Sequence, residues 1–177
     1  MKDTAFYVPS EKQSRLAQLY KPAGLTELNF MAPATGKGLE VADAYISAGV
    51  IAPPKFESGG AGLVSTARDY LRFAQMMLNG GELDGVRILS PKTVQLMTSN
   101  HLGDLPMGWG GKGLGFGLGF GLVLEPEITG EVSSAGEFNW GGAAGTRFWV
   151  DPEENLSGIF MVQSIPHRTR LAGDFKV

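Results

Sequence analysis

Trp140-Gly141-Gly142-Ala143-Ala144-Gly145 is the stretch of this chain best suited to chemistry. Small residues at Gly141, Gly142, Ala143 and Ala144 leave the backbone bare, so a ligand or another chain segment can approach its amides closely. Two exposed N–H groups at such a place can bind a developing oxyanion, the charge that forms when a carbonyl is attacked. Beyond them Thr146, Phe148 and Val150 alternate with Arg147 and Trp149, the pattern of a strand with two different faces. Trp140 fits a site wall and a cap on a core edge equally well.

Other reactive groups are sparse. No serine is followed three places later by lysine, the spacing that lets a lysine one helical turn on activate a hydroxyl. Ser90-Pro91-Lys92 has its lysine one place too early, no Gly-x-Ser-x-Gly elbow occurs, and no tyrosine is followed two places later by asparagine. The two histidines, His101 and His167, share no ligand spacing with another metal-binding residue, and an isolated histidine is more often structural than a general base. Gly108-Trp109-Gly110-Gly111-Lys112-Gly113 matches Gly-x-Gly-x-x-Gly, but a dinucleotide loop must open a helix and this one opens an alternating strand. Asp151, Glu153 and Glu154 read as a solvated hairpin tip rather than an acid–base pair.

Composition narrows the classes further. The chain has 177 residues, 43% hydrophobic and 19% charged, with a net charge of -3. That is a globular balance at single-domain length, without the basic stripe of a nucleic-acid binder or a polybasic membrane patch. There are no cysteines, which removes disulfides, thiolate chemistry and zinc–cysteine sites. No apolar run reaches the roughly 18–20 residues that span a bilayer, and no signal-peptide core follows Met1. The expectation is a soluble, cytoplasmic protein.

The elements that must position the glycine stretch can be read in order. Ser10-Glu11-Lys12-Gln13 has the form of a capping box, with Leu16, Leu19 and Tyr20 at helical spacing and Lys21-Pro22 as a stop. Residues 21–57 read as a long loop, ordered by Phe30, Tyr45 and Phe56. Ser58-Gly59-Gly60-Ala61-Gly62 is a turn. Thr66-Ala67-Arg68-Asp69 opens a helix with Ala67, Tyr70, Leu71, Ala74 and Leu78 on one face, stopped by Asn79-Gly80-Gly81. Asp84-Gly85 is a tight turn, and Ser90-Pro91 caps a short helix with Val94 and Met97 inward.

From residue 114 the period becomes that of a strand. Leu114, Phe116, Leu118, Phe120 and Leu122 alternate with glycines, which favours another element packed flat on the bare face. Further strands are expected near 130–138, 143–150 and 156–163, with a hairpin turn at Asp151–Asn155, together an antiparallel meander. A helix begins at about 168.

Taken together, these segments resemble the carboxy-terminal half of the serine β-lactamase-like hydrolases, and the family VIII carboxylesterases related to class C β-lactamases in particular. The likeness is carried by Met1-Lys2-Asp3-Thr4, by Ser58 to Tyr70, by Asn79 to Pro91 and by Phe138 to Asp151. It implies an α+β fold with a partial β-lactamase/transpeptidase-like architecture, an antiparallel sheet with packed helices. On this reading residues 1–177 are a single C-terminal part of such a domain. It divides into a helix and long loop over 1–60, helices in 61–100, antiparallel strands over 114–164 and a truncated C-terminal helix from about 168.

The resemblance also implies a chemistry. The family uses Ser-x-x-Lys for nucleophile and base, Tyr-x-Asn for proton transfer, and Lys-Thr-Gly or a substitute such as Trp-Gly-Gly for the opposite wall. Only the last is in this sequence, as Trp140, Gly141 and Gly142, and by that register the N–H of Ala143 is one oxyanion donor. Trp140 in place of lysine, and Gly141 in place of threonine or serine, remove the groups suited to a substrate carboxylate. The implied substrate of the intact enzyme is a small, neutral, short-chain ester, with no cofactor, metal, nucleic acid or membrane involved. The implied partner is a missing amino-terminal half, or a second copy through self-association. The alternative is a non-catalytic binding or complementation module.

Overall fold

The computed structural model describes residues 1–25, 38–42, 48–60, 62–108, 111–166 and 175–176. His167, the glycine loop at Trp109-Gly110, Phe30, Tyr45 and the start of the helix expected from 168 lie outside them. The chain packs as two compact units. One comprises Met1–Tyr70, Gly142–Thr146 and Met161–Thr169; the other comprises Leu71–Gly141, Arg147–Phe160 and Arg170–Val177.

In the first unit, the helix expected at Ser10 is a 3-10 helix, Ser10–Arg15. Pro9 holds its cap position without a side-chain bond. The Gln13 amide, instead of closing a capping box, donates to the carbonyls of Val8 at 3.0 Å and Ile51 at 2.9 Å. Tyr20, Lys21 and Pro22 are not a helix end but strand β1 (Tyr20–Pro22), paired antiparallel with β2 (Leu39–Val41) inside the stretch expected to be loop. The helical spacing of Leu19 is overridden because its side chain joins Ala42 and Ile165 in a buried cluster. Backbone bonds fasten that cluster: Ala42 N–H to Leu19 O, Tyr20 N–H to Gln163 O and Ile165 N–H to Tyr20 O, each 2.9 Å. Phe56 orders nothing by burial, since 79% of it is exposed.

Helix α1 (Ala67–Leu78) starts as its sequence dictates. The hydroxyl of Thr66 accepts the N–H of Asp69 at 3.2 Å, satisfying an orphan donor of the first turn. Its end is a Schellman motif: Gly80 N–H bonds Met77 O and Gly81 N–H bonds Met76 O, with both glycines at positive φ. The buried face is rotated from the one expected. Ala74, Met76 and Met77 are buried while Leu71 is 43% exposed.

In the second unit, Asp84 and Gly85, both at positive φ, turn β3 (Glu82–Leu83) back onto β4 (Val86–Arg87). Ser90 caps α2 (Pro91–Met97) by accepting the N–H of Thr93 at 3.0 Å, and Val94 faces inward. The glycine-alternating stretch is not one strand but a hairpin of β5 (Leu114–Phe116) and β6 (Gly121–Val123), closed by Gly117 N–H to Phe120 O at 2.8 Å. Its bare face is packed against neighbouring groups, as the alternation suggests. A Cβ on Gly117 would run into the carbonyl of Met97, and one on Gly115 would lie 2.7 Å from Asn100 Oδ1.

A short helix α3 (Pro126–Thr129) follows, so the next strand begins only at Phe138. Strands β7 (Phe138–Gly141), β8 (Arg147–Asp151) and β9 (Leu156–Phe160) complete a five-stranded antiparallel meander in the order β5-β6-β7-β8-β9. One face carries Phe73, Phe120, Phe138 and Phe148, with ring centroids 5.2 to 6.4 Å apart. On the other, Phe175 packs on Trp149 and Phe160, and Lys176 pairs with Glu137. The α+β architecture with an antiparallel sheet and packed helices is as the sequence implies.

Candidate functional site

Trp140 and Gly141 end β7, and Gly142 to Thr146 form the turn that leads into β8. The expected strand near 143–150 therefore begins later, and Ala143 sits in the turn itself. Trp140 and Gly141 belong to the second unit, Gly142 and Ala143 to the first.

Trp140 is not fully buried. Its indole meets the ring of Phe116 edge-on at 5.1 Å, yet 36% of the residue is exposed. A Cβ at Gly121 would lie 3.6 Å from the indole, in ordinary contact with it. Gly141 faces Arg147 across the ladder. The guanidinium of Arg147 is forked onto the carboxylate of Glu131, at 2.7 and 3.4 Å.

The turn is closed by its own atoms. Gly142 N–H donates to Thr146 O at 2.7 Å, and Gly145, at φ 94°, donates to Gly142 O at 2.9 Å. Gly142 is bare for a reason: a Cβ there would overlap the Thr146 hydroxyl. Ala144 anchors the turn twice. Its side chain packs on the Leu19, Ala42 and Ile165 cluster, and its carbonyl accepts the N–H of Ser164 at 2.9 Å. Gly141, Gly142 and Ala143 are exposed. Reading the sequence did not single out Ser164, because it holds this turn through a backbone bond that leaves no side-chain signature.

Other candidates resolve as structure. The His101 Nε2–H donates to Leu96 O at 2.8 Å, and the His101 backbone N–H bonds Phe116 O. Asp151 is buried, not solvated, and its Oδ1 accepts the N–H groups of Glu153 and Glu154 at 3.0 and 3.1 Å. This builds the hairpin tip as an Asx turn. Among the described residues no cluster of acidic or histidine side chains could hold a metal ion. None of their helices is long and apolar enough to cross a membrane.

The sheet, its helices and this turn define a β-lactamase/transpeptidase-like fold. The chain belongs to the Beta-lactamase family, whose model matches residues 1–174. Protein Rv1367c of Mycobacterium tuberculosis is 35% identical over 180 residues, which cover 94% of this chain and 40% of that protein. Among solved structures, EstCE1, a hydrolase with promiscuous acyltransferase activity, superposes with a TM-score of 0.76 at 23% identity, over 98% of this chain and 45% of that one. Simvastatin synthase (LovD) of Aspergillus terreus gives a TM-score of 0.70 at 22% identity, over 97% of this chain and 43% of that one. The chain thus spans less than half the length of each. The serine β-lactamase-like resemblance read from the four sequence segments is borne out at the level of the family.

Proposed function

We propose that this chain supplies one wall and one oxyanion donor of a serine esterase that acts on small, neutral esters through an acyl-enzyme. Trp140, Gly141 and Gly142 form the wall, and the N–H of Ala143 is the donor. In the reaction a serine oxygen attacks the ester carbonyl, the oxyanion is held by Ala143 and a second N–H, the alcohol leaves with a proton, and water releases the acid. The nucleophile, its lysine and the tyrosine are not in these 177 residues, so the segment bearing them is the partner this reading requires. Alone, the chain does not turn over ester.

The observation that carries the substrate class is electrostatic. A substrate carboxylate needs a cation near the glycine turn. Trp140 replaces the lysine, and Arg147, opposite Gly141, is taken by Glu131. The hydrolase and promiscuous acyltransferase activities of EstCE1 support the reading without fixing the ester. The cysteine-free composition supports a cytoplasmic setting.

Intact mass after treatment with a serine-reactive alkyl phosphonate tests the division of labour. No adduct is expected on this chain alone, and a stoichiometric adduct would overturn it. When the chain is joined to a segment carrying Ser-x-x-Lys and Tyr-x-Asn, hydrolysis of p-nitrophenyl butyrate should exceed that of nitrocefin. The reverse order overturns the neutral-ester reading.

A further inference from the structure

We propose that Glu131 is the residue that keeps this site to neutral esters. Its carboxylate fills the fork of Arg147, where the free carboxylate of a dicarboxylic acid hemiester would otherwise dock. This rests on the reading above that Trp140 to Ala143 line an ester site, and it assigns to one side chain the exclusion of a whole substrate class.

Arg147 and Gly141 stand directly opposite each other on β8 and β7. Residues so paired send their side chains to the same face of the sheet. Gly141 has no side chain and is exposed, so the Arg147 side chain leaves the sheet beside bare backbone. A planar guanidinium grips a carboxylate through two parallel N–H···O bonds. Glu131 makes that contact from within the chain, with Arg147 Nη2 donating to Oε2 at 2.7 Å and Nη1 to Oε1 at 3.4 Å.

The arm that carries Glu131 is built locally. Gly130, at φ 71°, ends α3 in the left-handed region and turns the chain. Thr129 Oγ1 donates to Pro126 O at 3.0 Å and accepts the Glu131 N–H at 3.3 Å, and Ser133 Oγ donates to Glu131 O at 3.2 Å. The backbone of Glu131 is thus held on both sides. Its side chain is the more exposed member of the pair, 44% against 25% for Arg147. An ion pair this exposed adds little to stability, so its main effect is on charge. With Glu131 in place the pair is neutral, and an incoming carboxylate must displace one carboxylate to gain the same bonds. With an uncharged side chain there, the cation beside Gly141 is uncompensated.

Two p-nitrophenyl esters read this in the chain joined to a segment carrying Ser-x-x-Lys and Tyr-x-Asn. The butyrate ends in a methyl group, and the hemisuccinate carries a carboxylate in its place. With Glu131 present, kcat/KM should favour the butyrate. Glu131→Gln should raise kcat/KM for the hemisuccinate about tenfold, the weight of a charge-assisted hydrogen bond, and leave the butyrate nearly unchanged. Adding Arg147→Gln should abolish the gain. An unchanged ratio of the two esters in Glu131→Gln overturns the proposal and leaves the esterase reading standing, and so does a gain that survives Arg147→Gln. A joined protein with Glu131 intact that prefers the hemisuccinate, or that hydrolyses neither ester, removes the esterase reading itself and this inference with it.

Discussion

The carboxylate of Asp69, in the first turn of α1, accepts the backbone N–H of Asp3 at 2.7 Å across 66 residues of sequence. The same oxygen takes the hydroxyl of Thr4 at 3.0 Å, and Thr4 in turn bonds Ser65. Asp3 itself is clamped by Lys12 at 2.6 Å and Arg15 at 3.0 Å. One carboxylate thus ties the first residues of the chain to the start of α1.

Acid should release this tie. The N–H of Asp3 holds the Asp69 carboxyl below its ordinary range, and Lys12, then Arg15, do the same for Asp3. Folded values below the unfolded ones give a contribution that is complete above the ordinary carboxylate range. It is lost as the pH falls through the lowered values, that is, below about pH 4. Asp69→Asn should lower Tm at neutral pH and flatten the acid decline, followed by circular dichroism between neutral pH and pH 3. Parallel declines in the two proteins would remove Asp69 from the account.

Glu137 behaves in the opposite sense. It is fully buried, and burial pushes its carboxyl up even though it is bonded to Lys176 and Asn139; nearby Asp151 adds to the rise. Lys176→Met leaves that carboxylate without its cation and should cost about 3–5 kcal/mol. A raised folded value gives stability that is present at low pH and lost as the pH rises through it. The variant should therefore unfold at lower urea near pH 8 than near pH 5. Adding Glu137→Gln should recover most of the loss, and a double variant as weak as the single one would show that Lys176 acts through packing on Trp149 alone.

Gly158→Ala tests the packing on this same face of the sheet, since Gly158 lies opposite Trp149. A Cβ there falls inside the indole of Trp149, so the ring must move. Overpacking of this kind costs about 1–3 kcal/mol. Trp149 is 4% exposed, so its displacement should shift tryptophan emission to the red. Unchanged emission and stability would mean that the ring has room.

Gly142→Ala should damage chemistry more than folding. The new methyl meets the Thr146 hydroxyl, which opens the turn that aims the Ala143 N–H. In a catalytically complete protein kcat should fall about 10²–10³-fold, the weight of one oxyanion donor, with KM little changed. Thr146→Ala removes the obstructing oxygen and should restore part of the loss. A rise in KM alone would assign the turn to binding instead.

Much of this fold was legible because its signals are local. Thr66, Ser90, Asn79-Gly80-Gly81 and Asp84-Gly85 each act on backbone groups within five residues, and each stands where its chemistry predicts. The errors fall where distant groups compete. Gln13 bonds Val8 and Ile51 instead of capping a helix, and Leu19 leaves a helical pattern to join Ile165. The glycine alternation was read correctly as a face on which another element packs, but with the wrong connectivity, since a two-residue period continues unbroken through the turn at Gly117–Phe120. At the candidate site, Trp140 to Ala143 were chosen from residue types, and the structure gives them the bare, exposed backbone those types imply. The pairing of Arg147 with Glu131 could not, because the two lie 16 residues apart with no shared periodicity.

The turn from Gly142 to Thr146 closes with bonds between its own members. Together with the anchoring of Ala144 on the Leu19, Ala42 and Ile165 cluster and on Ser164, those bonds order the turn in advance, so no ligand has to meet the entropy of ordering it. A segment with that property is portable. It can keep its shape while Trp140 before it changes, so that side chain, the wall in the function proposed above, could be exchanged without rebuilding the turn.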